Sequence, residues 1–274
     1  MFTLNFKGTL ITLEHPVVMG IINATPDSFF GGSRAATTSA ALIKAENMIN
    51  DGAFILDIGG QSTRPGSVQI GANEELDRVV PIIEEVKKAF PNTLISVDTY
   101  HPTVSTAAVS AGADMVNDIS GGRFFEDMLS TVASLNVPYI CMHSRGTIET
   151  MHEKPQSNNI ITELLDYFIE RVNACTQAGI KDIIVDPGFG FGKTIPDNFT
   201  LLKEMEAFQI LRKPLLLGVS RKSSIYQTLK ITPEESLNGT TVLNTVGLMN
   251  KAMILRVHDV KEAIQAIQLY QMMK

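Results

Sequence analysis

The chain predicts an α/β protein, a (β/α)8 TIM barrel with a short N-terminal β-hairpin. Three observations predict it. Short apolar runs recur eight times along the 274 residues, segments of helical periodicity separate them, and most runs end abruptly at a polar side chain. Strands this short and apolar, alternating with helices, indicate a parallel sheet buried on both faces. Eight such units in a chain of this length fit a closed barrel. An open doubly wound sheet is the alternative, because periodicity does not decide closure.

The elements follow in order. Residues 2–13 read as a hairpin around Lys7-Gly8, placed to cap the bottom of the barrel. Strands are predicted at 17–22, 54–58, 94–97, 115–117, 139–142, 183–185, 215–219 and 253–257. Helical segments include 38–50, 73–89, 160–178, 199–207 and a last helix over 260–272. Asp51-Gly52, Ala111-Gly112 and Ala178-Gly179 are helix stop signals, since glycine takes the left-handed turn that ends a helix at no steric cost. No linker or low-complexity tract interrupts the pattern, so one domain over 1–274 is expected.

Composition narrows the function. Hydrophobic residues make up 44% and charged residues 19%, which supplies a large core. The net charge is −6 with no Lys/Arg cluster, which argues against nucleic-acid and membrane-surface binding but leaves small anionic substrates open. Cys141 and Cys175 form no CxxC or metal spacing and read as buried reduced thiols. The N-terminus has no signal-peptide apolar region, and no run reaches membrane-spanning length, so a cytoplasmic protein is expected.

Active sites of such barrels form at the C-terminal ends of the strands. Those ends carry Asn23, then Asp57 followed by Ser62, Thr63 and Arg64, then Asp98, Asn117 with Asp118, Met142 with His143 and Arg145, Asp186, Ser220 with Arg221 and Lys222, and Arg256 with His258. Any one of these is explained by a turn or a helix cap. Jointly, Asp57, Asp98, Asn117 and Asp186 each stop an apolar run, and buried carboxylates need partners. A flat amide-like heterocycle suits them: carboxylates and an Asn amide take ring N–H and amino donors, and a lysine bonds a ring carbonyl.

In "AMILRVHDV", Arg256 and His258 are two apart on a strand and share a face. The guanidinium fork fits phosphate oxygens and His258 adds a second donor. A structural Arg–carboxylate pair with a tautomer-fixed His is the other reading. "GFGFGKT" (188–194) imitates a P-loop, but Pro187 stands where that motif needs its first glycine, and Pro196 comes too early for the helix that follows it. Its glycines instead let the backbone approach a ligand, with Phe189 or Phe191 as a wall.

The stretches "GIINATPDSF", "LDIGGQSTRPGS", "VDTY", "VNDISGG", "MH", "DPGFGFGKT", "GVSRKSSI" and "ILRVHDV" resemble the dihydropteroate synthase family, in its order and from Gly20 to Val260. The resemblance implies a pterin-binding barrel that joins 6-hydroxymethyl-7,8-dihydropterin diphosphate to 4-aminobenzoate, releasing pyrophosphate in folate biosynthesis. It implies a pterin pocket of Asp57, Asp98, Asn117, Met142, Asp186 and Lys222. It implies a diphosphate site of Asn23, Arg64, Arg256 and His258, with Asn23 near a Mg²⁺ ion. It implies a 4-aminobenzoate side of Phe29, Ser62, Thr63, Pro65, Phe191 and Ser220. Arg64, Lys222, Arg256 and His258 are the implied catalytic set, and a homodimer is the implied assembly. The chain departs from the family pattern at Phe30-Gly31-Gly32-Ser33, where Ser-Asp-Gly-Gly usually follows the Phe. It also has Gln61 in place of a Glu, and "MNKA" before the last strand. A sister pterin barrel that transfers methyl groups to a corrinoid protein has no reason to keep Arg64, Arg256 and His258 together. A catalytically inactive paralogue is expected to have lost some of them.

Overall fold

The computed structural model of the protein describes residues 1–24, 34–62, 67–147, 149–150, 153 and 158–273, with residues 34–36 described by backbone only. Strands β1 (Phe2–Phe6) and β2 (Thr9–Leu13) pair antiparallel. Lys7 and Gly8 between them both have positive φ, 50° and 96°, the conformation that matches the twist of a two-residue hairpin.

Eight parallel strands follow: β3 (Val17–Asn23), β4 (Ile55–Gly59), β5 (Leu94–Asp98), β6 (Met115–Asp118), β7 (Tyr139–Met142), β8 (Ile183–Asp186), β9 (Leu216–Leu217) and β10 (Ile254–Val257). Their spatial order is β8-β7-β6-β5-β4-β3-β10-β9. A single parallel bridge between Val185 and Leu215, with Val185 N–H donating to the Pro214 carbonyl at 3.0 Å, joins the two ends and closes the barrel. The ninth strand is shorter than the predicted 215–219, because Pro214 and Gly218 flank it and neither sustains a ladder.

Helices α1 (Arg34–Asn50), α2 (Ala72–Ala89), α3 (Pro102–Ala111), α4 (Met128–Leu135), α5 (Ile160–Ala178), α6 (Ile195–Lys203), α7 (Ser223–Leu229), α8 (Leu237–Met249) and α9 (Val260–Gln271) run between and after the strands. Two of them, α7 and α8, separate β9 from β10, where the strand–helix repeat predicts one. Local chemistry sets the ends. Asn159 accepts from the Ile161 and Thr162 amides to start α5, and Gly179 ends it in the left-handed region. Thr194 and Asp197 form a reciprocal capping box that starts α6 at Ile195, four residues before the predicted start. Pro196 is accommodated because the first helical turn has no amide to bond. The predicted end at 207 falls inside a separate 3₁₀ turn, Met205–Leu211.

Strand alternation sorts the core into two shells. Val18, Leu56, Ile95, Val116, Cys141, Val185, Leu217 and Leu255 face outward into the layer beneath the helices. Met19, Ile55, Met115, Ile140, Ile184, Leu216 and Ile254 face inward, packed with Leu4, Phe6 and Leu13 of the hairpin. The hairpin thus plugs the N-terminal end of the barrel.

Candidate active site

Two residues further along each strand, the same inward face turns polar. Asp57, Asn117, Asp186 and Arg256 stand there with Ile21, Met142 and Gly218. Asn23 and Asp98 end β3 and β5 on that face. An apolar floor below a polar tier is the arrangement that the interrupted apolar runs predict. Gly218 lies beside Lys222 and Arg256, and a Cβ there would meet Lys222 Nζ at 3.9 Å, an ordinary contact.

Arg256 is the centre of the tier. Its Nε donates to Asp57 Oδ2 at 2.7 Å and its Nη2 to Asp98 Oδ2 at 2.6 Å. Asn117 Nδ2 donates to the same Asp57 oxygen at 3.0 Å. Arg256 is thus folded inward onto carboxylates, the arrangement that its reading as an Arg–carboxylate pair expects. Burial alone would lower its pKa, but Asp57 and then Asp98 outweigh burial and push it up. Burial raises Asp98 to about 7, opposed by the Arg256 charge and reinforced by Asp57. Asp57 Oδ1 and Asn117 Oδ1 are buried with no hydrogen-bond partner among the described residues.

Opposite them, Asp186 accepts from the Gly188 amide at 2.7 Å. Burial raises its pKa, against the charge of Lys222. The Lys222 ammonium donates to the Phe189 carbonyl and lies 4.8 Å from the centre of the Phe191 ring. Burial lowers Lys222 to about 8, and Asp186 opposes the shift. Met142 is buried beside Phe191, Tyr100 and Ile119.

His258, the second donor expected on this face, is uncharged. Burial, then Arg256, brings its pKa down to about 4, so it is neutral at pH 7. Ser220 Oγ lies 3.0 Å from His258 Nδ1 and accepts from the His258 amide at 3.2 Å. With the ring proton on Nε2, the Ser220 hydroxyl donates to Nδ1 and the Nε2–H is left for a ligand; with it on Nδ1, the hydroxyl accepts both bonds. Ser220, expected on the 4-aminobenzoate side, thus serves His258. Arg221 forks onto Asp259 with two bonds of 2.9 Å.

Ser62 is described by its carbonyl, which accepts from Gln61 Nε2 at 2.8 Å and from Ser67 Oγ at 2.6 Å. Gln61 also donates to the Val68 carbonyl at 3.3 Å and accepts from the Ile70 amide at 2.8 Å. A Glu has no N–H for the two donations, so the departure at Gln61 changes how this segment is tied. Phe29, Thr63, Arg64 and Pro65 lie outside the described residues. Lys193, at the end of the P-loop look-alike, is turned into the protein and 1% exposed. No periodicity or spacing signals that inward turn.

The comparisons agree with this geometry. The profile of a family described as pterin binding enzyme matches residues 19–258. Dihydropteroate synthase of Escherichia coli K12 is 42% identical over 266 residues, covering 96% of this chain and 93% of its own. The chain belongs to the dihydropteroate synthase family of pterin-binding enzymes. Its activity is dihydropteroate synthesis, a transferase reaction of folate biosynthesis. The Bacillus subtilis dihydropteroate synthase is 42% identical over 251 residues, covering 91% of this chain and 85% of its own. The Xanthomonas albilineans dihydropteroate synthase solved with 4-aminobenzoic acid superposes with a TM-score of 0.92 at 39% identity, covering 99% of this chain and 97% of its own. A structure of that synthase with 7,8-dihydropteroate has a TM-score of 0.89 at 36% identity, covering 99% of this chain and 98% of its own.

Proposed function

We propose that Asp57, Asp98, Asn117, Asp186 and Lys222 hold the pterin of 6-hydroxymethyl-7,8-dihydropterin diphosphate while its methylene carbon passes to 4-aminobenzoate. The observation that carries this reading is the pair of buried acceptors without donors, Asp57 Oδ1 and Asn117 Oδ1. A buried acceptor left unpaired costs about 1–3 kcal/mol, so the site is built for a ligand that brings N–H groups. A pterin brings ring N–H and amino donors to the carboxylates and a carbonyl to the Lys222 ammonium. Met142 packs against its face.

In this reading the diphosphate lies at Asn23, Arg64, Arg256 and His258, with Arg64 outside the described residues. Arg256 exchanges carboxylate oxygens for phosphate oxygens, and His258 donates from Nε2. Ser62, Phe191 and Ser220, with Phe29, Thr63 and Pro65 outside the described residues, frame 4-aminobenzoate.

The C–O bond to the diphosphate breaks and a C–N bond to the arylamine forms. The arylamine proton leaves to solvent, and an arylamine needs no strong base. Positive charge builds on the methylene and ring as the bond breaks, and Asp98 and Asp186 face it. The guanidinium of Arg256 and the His258 N–H face the opposite charge on the departing pyrophosphate. Fixed charges aimed at charge that develops in the transition state give the largest catalytic effect. A Mg²⁺ ion fits on one condition. No three His, Cys, Asp or Glu gather as a cage among the described residues, so an ion held here would rest on Asn23, which ends β3 on the inward face. Asn23 would hold Mg²⁺ by one oxygen, with waters and phosphate oxygens completing its shell, and the ion would neutralise the leaving group.

A homodimer formed through the late helices belongs to the same reading. It is supported by exposed apolar side chains on α7, α8 and α9, namely Leu229, Val242, Met249 and Leu269. Light scattering checks it. A cytoplasmic location is expected with it; among the described residues no helix is long and apolar enough to cross a membrane. Turnover decides the main reading. Pterin diphosphate, 4-aminobenzoate and Mg²⁺ should give dihydropteroate and pyrophosphate, and Arg256→Ala should slow turnover by on the order of 10²-fold or more. Wild-type turnover in the variant would remove Arg256 from the leaving-group site.

A further inference from the structure

The turn after β8 carries three groups of the proposed site, and what holds the turn is a buried lysine that this site does not otherwise use. Lys193 Nζ has four neighbours: the Gly188 carbonyl at 2.8 Å, His143 Nδ1 at 2.9 Å, the Phe191 carbonyl at 3.1 Å and the His143 carbonyl at 3.3 Å. Carbonyls only accept. His143 Nδ1 accepts from the same nitrogen when its ring proton is on Nε2, the side that faces Glu163 Oε1 at 4.0 Å. Burial holds the Lys193 pKa well below that of an ordinary lysine, with Asp186 opposing the shift, so it is the N–H donors of the amino group that bind these oxygens. An amino group buried this deeply is costly to keep in a core unless its hydrogen bonds are made. It is retained where the polar atoms around it must be held.

Two of those polar atoms, the Gly188 and Phe191 carbonyls, belong to the site's own turn, and the two of His143 belong to the end of β7. Between the two carbonyls that Lys193 gathers, Gly188 N–H donates to Asp186 and the Phe189 carbonyl receives Lys222. The Phe191 ring lies against Lys222. The turn is drawn so closely onto the end of β7 that a Cβ on Gly188 would fall 1.9 Å from the His143 carbonyl oxygen, at a φ of 68° that only glycine takes freely. Asn198 fixes the outer side, accepting from the Gly190 amide at 2.7 Å.

We propose that Lys193 is a positioning residue for the 4-aminobenzoate subsite, its buried amino group holding the 188–191 turn so that Phe191 stands as the wall against which the arylamine binds. This inference rests on the assignment of Phe191 to that subsite. Lys193 touches neither substrate and acts through the turn.

Lys193→Met keeps an unbranched apolar stem and removes the N–H donors. Steady-state kinetics with each substrate varied should show the KM for 4-aminobenzoate raised by on the order of tenfold, the size expected when buried carbonyls lose their donor. The kcat should fall less than KM rises. Phe191→Ala should raise the same KM, and the double variant should be no worse than Phe191→Ala alone, because both changes remove one wall. An unchanged KM in Lys193→Met beside a raised one in Phe191→Ala overturns the role of Lys193 and leaves the subsite intact. Multiplying effects in the double variant also overturn it. An unchanged KM in Phe191→Ala overturns the subsite assignment and this inference with it. Should Lys193→Met not fold, the wild-type enzyme with ¹⁵N-labelled lysine answers instead. The Lys193 side-chain ¹⁵N resonance should shift when 4-aminobenzoate joins the enzyme with pterin, pyrophosphate and Mg²⁺. An absent or unmoved resonance counts against the role.

Discussion

Asp186 ends β8 with one oxygen already bonded to the Gly188 amide. Burial raises its pKa, and Lys222 supplies the strongest opposing charge. If Asp186 receives pterin N–H donors, Asp186→Asn replaces an ionised acceptor with an amide that presents hydrogens to hydrogens. Pterin affinity measured by calorimetry should fall by about 1.5–3 kcal/mol, the worth of a hydrogen bond to a charged group. Undiminished affinity would remove Asp186 from the pocket. At this scale the sequence is legible where a polar residue breaks an apolar run. Asp57, Asp98, Asn117 and Asp186 stand out for that reason, and all four take inward positions. It is not legible where the same letters serve opposite directions. Nothing in "GKT" says that Lys193 turns inward. Nothing in "LRVHDV" says that Arg256 bends onto Asp57 and Asp98 or that His258 stays neutral, because both follow from neighbours on distant strands.

Helix α2 shows how an element carries a charge into the core. Glu75, in its first turn, is fully buried beneath the end of β5. Its Oε2 accepts from Thr99 Oγ1 at 3.0 Å, and its Oε1 has no partner among the described residues. Burial raises its pKa to about 8, opposed by the Thr99 bond and reinforced by Asp98. A folded pKa above the unfolded one means that, between the two, the folded state holds a proton the unfolded state has lost. Stability from this group is therefore full below the ordinary carboxylate range and is lost as pH rises to about 8. Glu75→Gln removes the titration. Denaturant unfolding should show the variant more stable than wild type at roughly pH 9, by a few kcal/mol at about 1.4 kcal/mol per pKa unit, with little difference near pH 4. An equal loss at both pH values would mean that Glu75 is held as a paired carboxylate. Elements of this kind are readable because their periods differ: α2 falls within a residue or two of its predicted span, as do the inward-outward strands. Ends set by side-chain caps are less so, and α6 starts early because the Thr194–Asp197 box outweighs the apparent break at Pro196.

Closing the barrel makes residues far apart in the chain share one counter-ion. Arg256 on β10 reaches across β3 to Asp57 on β4 and Asp98 on β5, at 2.7 and 2.6 Å. The same guanidinium is the proposed phosphate ligand, and its fork does not hold both sets of oxygens at full strength. In the ligand-free enzyme a pterin must compete with Arg256 for the carboxylates, and a diphosphate must compete with the carboxylates for Arg256. Each ligand therefore releases what the other needs. Binding of the two halves of the substrate should be positively coupled, and by the same factor whichever is added first, because coupling free energies are reciprocal. Titrating a pterin that lacks the diphosphate, with and without pyrophosphate and Mg²⁺, should show affinity raised by roughly 5–150-fold, the span of 1–3 kcal/mol. The converse titration should give the same ratio. Arg256→Met keeps the stem and removes the fork, so pyrophosphate should no longer strengthen pterin binding. Coupling that survives in Arg256→Met would place its source elsewhere in the barrel. Equal pterin affinity with and without pyrophosphate in the wild type would show that Arg256 stays on Asp57 and Asp98 throughout.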